Sequence, residues 1–339
     1  MIKIFVTYRC NLACPYCFAR EAAAQYPDDL SGDAFERLLG WMRRSLLPAA
    51  AFIGGEPTLH PKLADMVERT AHAGISPVVF TNGLFSDELA ERLTGCVANF
   101  VVNYNDPASL TPAQADRLER TLAVLSRAGA GLALSKNFSR ASLDYAPLLA
   151  AVDRHAVTAV RYDISRPSYS GANEHFTLDD TREVMSHVVG FVKACEARGV
   201  KTGLDCSVRL CDLDGDDRRY LERVSMKFSG VCHPSIDVHP DLSASYCLPM
   251  RGIRVPDATA FPDHAALMWH MAKLARPIKQ ANVSAACLDC KDFMRRCQGG
   301  CMALRRVAAK PPEVAAEAAP GPDADAVPRK PTPEKAATS

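Results

Sequence analysis

The chain lacks a surplus of either charge: 40 lysines and arginines stand against 39 aspartates and glutamates, for a formal net charge of +1. Without a single-sign field there is no electrostatic footprint for nucleic acid or an anionic membrane surface, so neither is expected as a partner. A long apolar run is also missing. The N-terminus opens on Ile2-Lys3-Ile4-Phe5-Val6 and then turns polar, too short for the apolar region of a secretion signal, and no later stretch approaches a membrane span. These absences predict a cytoplasmic protein with no membrane segment. No internal repeat occurs at a solenoid period.

In a reducing compartment the 13 cysteines cannot serve as a disulfide framework, so metal binding or catalysis is their expected use. Their distribution supports this. Cys10, Cys14 and Cys17 cluster at the start, and Cys206, Cys211, Cys232, Cys247, Cys287, Cys290, Cys297 and Cys301 fall beyond residue 200. Cys96 and Cys195 lie between and read as small buried apolar residues.

With 339 residues, 48% of them hydrophobic, the chain can bury a substantial core. Short β-branched runs alternate with helical patterns as far as residue 165, the pattern of βα units building a parallel sheet. Strands are predicted at 2–6, 50–53, 77–81, 99–104, 131–136 and 157–163. A helix is predicted at 112–128, with Thr111 as cap, Pro112 in the first turn, Gln114 closing a capping box and Ala115, Leu118, Leu122 and Leu125 on one face. Another is expected at 33–47, with Phe35, Leu38, Leu39, Met42 and Leu46 as its apolar stripe. A third, at 178–198, starts from a Thr177–Asp180 cap. Beyond Met302 the composition shifts to alanine, proline, glutamate and lysine without periodicity, which predicts a disordered tail over 307–339.

Thiolates are soft ligands for zinc or iron–sulfur centres, and a closed zinc site wants four of them. The segment Cys10-Asn11-Leu12-Ala13-Cys14-Pro15-Tyr16-Cys17 offers three, with no histidine nearby. The count, the position after a first strand and Tyr16 before the third cysteine resemble the CxxxCxxC loop of the radical S-adenosylmethionine (SAM) family. Gly54-Gly55-Glu56-Pro57 after the second strand resembles the family's GGE segment, and Thr81-Asn82-Gly83 after the third its TNG turn. All three lie at carboxyl ends of strands, where ligands of parallel α/β sheets gather. The resemblance implies an α/β fold built on a partial (β/α)6 TIM-like barrel. It also implies a 4Fe–4S cluster on Cys10, Cys14 and Cys17, and SAM bound with help from Tyr16, Gly54, Gly55, Glu56 and Thr81. Reductive cleavage of SAM would yield a 5′-deoxyadenosyl radical that abstracts hydrogen from substrate. Asn103, Ser135, Asn137 and Arg161, polar residues at later strand ends, are candidates for further SAM contacts. Tyr104, Asp106, Asp163 and Asp205 are named as mutational targets near the barrel mouth.

Cys287-x2-Cys290-x6-Cys297-x3-Cys301, preceded by Cys232-x14-Cys247, resembles the SPASM or twitch domain that follows many radical SAM barrels and carries auxiliary 4Fe–4S clusters. A zinc ribbon is the alternative. The implied domains are a core at 1–200 and an auxiliary region at 201–306. The family pattern would group Cys232, Cys247 and Cys301, with Cys211 as a plausible fourth ligand. Cys287, Cys290 and Cys297 then lack an obvious partner, since no cysteine follows Cys301. Either Cys206 completes that set, or an iron stays open, or a single auxiliary cluster forms.

SPASM enzymes commonly modify peptides, and the resemblance implies a peptide substrate, with a small metabolite such as a nucleoside or sugar as the alternative. A non-catalytic iron–sulfur or zinc protein is the reading of another class. Sulfatase maturases place an aspartate after the second auxiliary cysteine, whereas here Leu248 follows Cys247. Only nine residues precede Cys10, so a leader-binding protein is expected to be separate. A reductant such as flavodoxin or ferredoxin is the remaining implied partner.

Overall fold

A computed structural model describes residues 1–309. Six strands form in chain order: β1 (Ile2–Thr7), β2 (Ala49–Gly54), β3 (Ser76–Thr81), β4 (Asn99–Asn103), β5 (Leu132–Phe138) and β6 (Ala159–Ile164), each parallel to the next. The helices between them are α1 (Gly32–Arg44), α2 (Leu63–His72), α3 (Asp87–Thr94), α4 (Pro112–Arg127) and α5 (Ala146–His155). After α6 (Thr181–Glu196), β7 (Lys201–Leu204) pairs parallel with β6, and after α7 (Gly215–Val224), β8 (Ser225–Met226) pairs with β7. The chain then returns to the other edge of the sheet. There β9 (Asp237–Val238) lies parallel to β1, and β10 (Ala244–Ser245) and β11 (Arg254–Val255) add antiparallel strands. Helices α8 (His264–Gln280), α9 (Ala285–Leu288) and α10 (Met302–Ala309) complete an eleven-stranded α/β sheet that runs across residue 200.

Successive side chains of a strand point to opposite faces, and that period sorts this sheet. Ile4, Phe52, Val79, Val102, Leu134 and Val160 turn towards the helices and join the main apolar core with Leu38, Met42, Leu118, Leu122, Val188 and Phe191. The alternate residues Phe5, Ile53, Phe80, Val101, Ser135 and Arg161 line a cavity on the opposite face. The helix-facing set is entirely apolar, whereas the cavity set turns polar towards β5 and β6. The strand runs read as nearly continuous because both faces are covered.

All six predicted strands form within about two residues of their expected bounds, and α4 carries the full predicted capping box. Three details differ. Leu46, expected on the α1 stripe, has a positive φ of 53° and is 87% exposed: α1 ends at Arg44 and the chain turns there. Helix α6 begins at Thr181 because Asp180 spends its carboxylate on the Thr177 N–H and hydroxyl, both at 2.7 Å, closing a separate turn first. Helix α10 extends into the first residues of the predicted tail, and the rest of that tail, 310–339, lies outside the described residues.

The two-faced sheet makes a stability prediction. Leu134→Ala, on the helix face and fully buried, should lower unfolding free energy by about 2–5 kcal/mol. Ser135→Ala, its neighbour on the cavity face, should change it by less than about 1 kcal/mol. Urea unfolding of the two variants beside wild type checks the pair, and equal losses would contradict the assignment of faces.

Candidate active site

The strand ends converge on one cavity of about 660 Å³, a size typical of sites for cofactors and drug-sized ligands. Its lining includes Cys10, Cys14 and Cys17 together with Tyr16, Gly54, Gly55, Glu56, Thr81, Asn103, Ser135 and Arg161, the residues singled out from the sequence. Asn137, Asp163 and Asp205 line it too. Tyr104 instead faces the helix-side core, and Asp106 caps a short turn by accepting from the Ala108 N–H at 2.9 Å, so neither reaches the cavity.

The cysteine loop is docked on three neighbouring strand ends. On the β2 side, the Gly55 N–H donates to the Thr7 carbonyl at 2.9 Å and the Glu56 N–H to the Arg9 carbonyl at 2.8 Å. This approach is so close that a Cβ on Gly54 would lie 2.3 Å from the Thr7 oxygen, and one on Gly55 2.4 Å from the Arg9 oxygen. The two glycines are therefore required by the packing of one backbone on another. On the β3 side, Asn82 donates its amide to Asn11 at 2.7 Å. On the β4 side, the Tyr16 hydroxyl donates to Asn105 at 2.5 Å and accepts from Asn103 at 2.9 Å, while Asn137 holds Asn103 at 2.8 Å. Asn105 was not anticipated from the sequence; its signal was the polar run Asn103-Tyr104-Asn105-Asp106 closing a β-rich strand.

Glu56 is 1% exposed. Its Oε1 accepts from the hydroxyls of Thr58 and Thr81, each at 2.7 Å, and its Oε2 from the Asn82 N–H at 2.7 Å. Burial pushes this carboxyl above its usual range despite those donors. The carboxylate thus ties β2 to β3, and Oε2 keeps lone-pair capacity for one further donor.

At the far end of the cavity, Arg161 lies 4.5 Å from the centroid of the Phe80 ring and pairs with Asp205, its Nε at 2.9 Å. Arg166 is buried and pairs with Asp163 at 2.8 Å. Three buried groups on the cavity wall have no partner within the protein: Asn105 Nδ2, Arg161 Nη1 and Ser165 Oγ. Unpaired buried donors are costly, so a bound polar molecule rich in acceptors would satisfy them. Burial pushes the Cys10 and Cys14 thiols up, so a cationic centre is what would draw both into thiolate form. Cys10 is exposed and Cys14 and Cys17 half-buried. Among the described residues, no three histidine, cysteine, aspartate or glutamate side chains converge tightly enough for a single metal ion.

The later cysteines fall into two neighbourhoods. Cys232, Cys247 and Cys301 lie within electrostatic reach of one another, and Cys287 is within reach of Cys290 and Cys297. Cys211, expected beside Cys232, feels Cys297 and Cys287, whereas Cys206 feels Cys301. Cys195 is fully buried and pushed up to about 12 by that burial, and Cys96 packs half-buried against the core, both as apolar spacers.

Gly55→Ala should displace the Arg9 carbonyl and with it the Cys10 side of the loop. Anaerobic reconstitution should then load fewer irons than wild type, by up to about four, with an unchanged far-ultraviolet circular dichroism spectrum. Full iron loading in this variant would show that the backbone approach does not position the cysteines.

Known proteins share parts of this sequence and its fold. Residues 4–105 match the family model described as the Radical SAM superfamily. The chain is 32% identical over 89 residues to Fe-coproporphyrin III synthase of Methanosarcina barkeri, a match covering 26% of this chain and 22% of the synthase. The chain therefore spans under a third of that relative's length. Over a longer stretch it is 26% identical to the mycofactocin maturase MftC of Mycobacterium ulcerans, covering 88% of this chain and 82% of the maturase. Among solved structures, Streptococcus suis SuiB superposes with a TM-score of 0.65 at 15% identity, over 93% of this chain and 76% of SuiB. SuiB is also known bound to SAM and to its precursor peptide SuiA. Residues 4–105 thus match the radical SAM superfamily, the likeness in fold extends over most of the chain, and further cysteines follow in its C-terminal region.

Proposed function

We propose that Cys10, Cys14 and Cys17 hold a 4Fe–4S cluster with one iron open to SAM, and that the chain uses this centre to modify a peptide. The observation that carries the reading is a single cavity joining the three thiols, the Gly54-Gly55-Glu56 turn and the three unpaired buried groups Asn105 Nδ2, Arg161 Nη1 and Ser165 Oγ. When bound, the cluster and SAM supply the one-electron chemistry for hydrogen abstraction from substrate.

The protein's own residues do the positioning. Tyr16, fixed by Asn103 and Asn105, holds the cysteine loop against β4. Glu56 and the Gly54-Gly55 turn line the cavity at the end of β2. Arg161, charge-balanced by Asp205, offers its free Nη1 from β6. Phe5, Ile53, Phe80 and Val101 line the apolar part of the cavity and exclude water from the reacting centre. Besides Glu56, Asp163 and Asp205 are the acids that line this cavity.

We read residues 1–200 as the core and 201–306 as an auxiliary region whose cysteines hold one or two further 4Fe–4S clusters. A peptide substrate is supported by the likeness to MftC over most of the chain and by SuiB's complex with a precursor peptide. The electron donor and any leader-binding protein belong to this reading as partners. Among the described residues, no helix is long and apolar enough to cross a membrane.

Anaerobic reconstitution with iron and sulfide, followed by dithionite and SAM, should release 5′-deoxyadenosine. A Cys10/Cys14/Cys17→Ala variant should hold about four fewer irons and release none. An unchanged iron count in that variant would refute the cluster assignment, and absence of 5′-deoxyadenosine from fully loaded wild type would refute the reaction.

A further inference from the structure

The segment that leaves β6 touches the cavity first and the cysteine loop last. Ile164, Ser165 and Arg166 line the cavity, and the chain then crosses to the loop. There the Glu174 N–H donates to the Pro15 carbonyl at 3.0 Å, and the Asn173 side-chain amide donates to the Tyr16 carbonyl at 2.9 Å. The same amide donates to the Arg166 carbonyl at 2.9 Å, while Asn173 Oδ1 accepts from the Ser168 N–H at 2.6 Å. One side chain therefore closes the segment into a turn and ties that turn to the peptide between Cys14 and Cys17. Tyr16 is held twice, through its hydroxyl by Asn103 and Asn105 and through its carbonyl by Asn173. The middle of the segment is anchored on the C-terminal region. Two guanidinium groups cover the Tyr169 ring, Arg251 at 4.5 Å and Arg306 at 4.4 Å from its centroid. Arg306 also donates to the Ser168 carbonyl at 3.4 Å and to that of Tyr169. Gly171 has a positive φ of 79°, and a Cβ there would lie 3.0 Å from Val307 Cγ1, so α10 packs directly on the turn.

We infer that Asn173 is a positioning residue for SAM binding, and that α10, through Tyr169, sets the segment from which Asn173 acts. This rests on the reading that Cys10, Cys14 and Cys17 hold the cluster that SAM joins. Thiolate bonds fix the three cysteines but not the backbone between them. The two carbonyls between Cys14 and Cys17 are instead taken by Asn173 and Glu174, so the loop is ordered before SAM arrives. Such preorganisation places the ordering cost in folding, not in binding. Without the Asn173 amide the thiolates still reach the cluster, and the cost of ordering the loop falls on SAM. The amide nitrogen is the part of the side chain that matters. It is surrounded by acceptors, the carbonyls of Tyr16, Arg166 and, at 3.3 Å, Glu174. An asparagine supplies two N–H donors there, whereas an ionised aspartate of the same shape supplies none.

The test uses the full chain, reconstituted anaerobically with iron and sulfide and kept free of reductant so that SAM is not consumed. In equilibrium dialysis, Asn173→Ala should hold as much iron as wild type and bind SAM on the order of tenfold more weakly. Asn173→Asp should bind SAM more weakly still at alkaline pH, where a carboxylate faces three carbonyl oxygens. It should recover as the pH is lowered, because the protonated carboxyl regains a donor. Hydrogen–deuterium exchange on the same samples reads the tie itself. Asn173→Ala should speed exchange in both 11–17 and 166–175 and leave α4 unchanged. Arg306→Ala, which leaves every group that touches the loop in place, should also speed both segments, with a smaller loss of SAM affinity. Unchanged SAM affinity in Asn173→Ala, or alanine and aspartate variants that behave alike at every pH, would overturn the positioning role. Faster exchange confined to 166–175 in Arg306→Ala would overturn the link to α10. Should Asn173→Ala lose its iron, Arg306→Ala decides the matter by the same two measurements. Loaded wild type that binds no SAM while the exchange pattern holds would instead remove the functional reading on which the role depends.

Discussion

The buried carboxylate of Glu56 is the constraint on which the site depends. Its acceptors are engaged by Thr58, Thr81 and Asn82, and its own N–H reaches back to Arg9. One residue therefore joins the ends of β1, β2 and β3. Removing a charged group from water is unfavourable unless it is matched by donors of good geometry, and here the donors come from the neighbouring turn and its Thr81 and Asn82. The matching works in both directions: the carboxylate is tolerated because the strand ends meet, and the strand ends are held because the carboxylate needs them. The cysteine loop inherits its position from this clamp, since Arg9 directly precedes Cys10.

The cavity extends that logic from the backbone to charge. Its β1–β3 wall is mostly apolar, whereas the β4–β6 wall carries amides and ion pairs. Arg161 and Arg166 are neutralised by Asp205 and Asp163 before any ligand enters. A cavity with its charges already paired favours a ligand that brings acceptors more than one that brings net charge. The unpaired donors Asn105 Nδ2 and Arg161 Nη1 lie on the amide-bearing wall. Such preorganisation places the cost of orienting polar groups in folding, not in binding.

Much of this was legible in the sequence where a local rule decides the outcome. Six parallel strands announced themselves as apolar runs, the α4 cap as Thr111 with Gln114, and the site as three motifs at strand ends. What escaped was set by tertiary geometry. Strands β8 to β11 are two residues long, too short for any period to register, and they form because an existing sheet edge offers them partners. Leu46 matched the helical stripe, yet it turns outward because α1 stops at Arg44. Asn105 gave no motif, since its importance lies in reaching Tyr16 across 89 positions. Arg209 and Leu210 pack against Gly300 and Gly230, the former almost a hundred positions later, and spacing alone cannot report such a path.

The seam between the barrel and the later region shows why the C-terminal cysteines are held relative to the cavity. Lys3 of β1 faces the cavity and is paired in the ladder with Asp237 of β9. Burial opposes the lysine's charge, but Asp237 and Asp205 overcome it and hold Lys3 above its ordinary value. Asp237 in turn accepts from the Leu248 N–H at 2.7 Å, directly after Cys247. A buried lysine without a carboxylate would be costly, so β9 cannot slip along β1 without stranding it. The register that satisfies Lys3 also positions Cys247. The Lys3–Asp237 ladder pair thus sets Cys247 beside the cavity wall, which makes one electrostatic requirement responsible for how the later region meets β1.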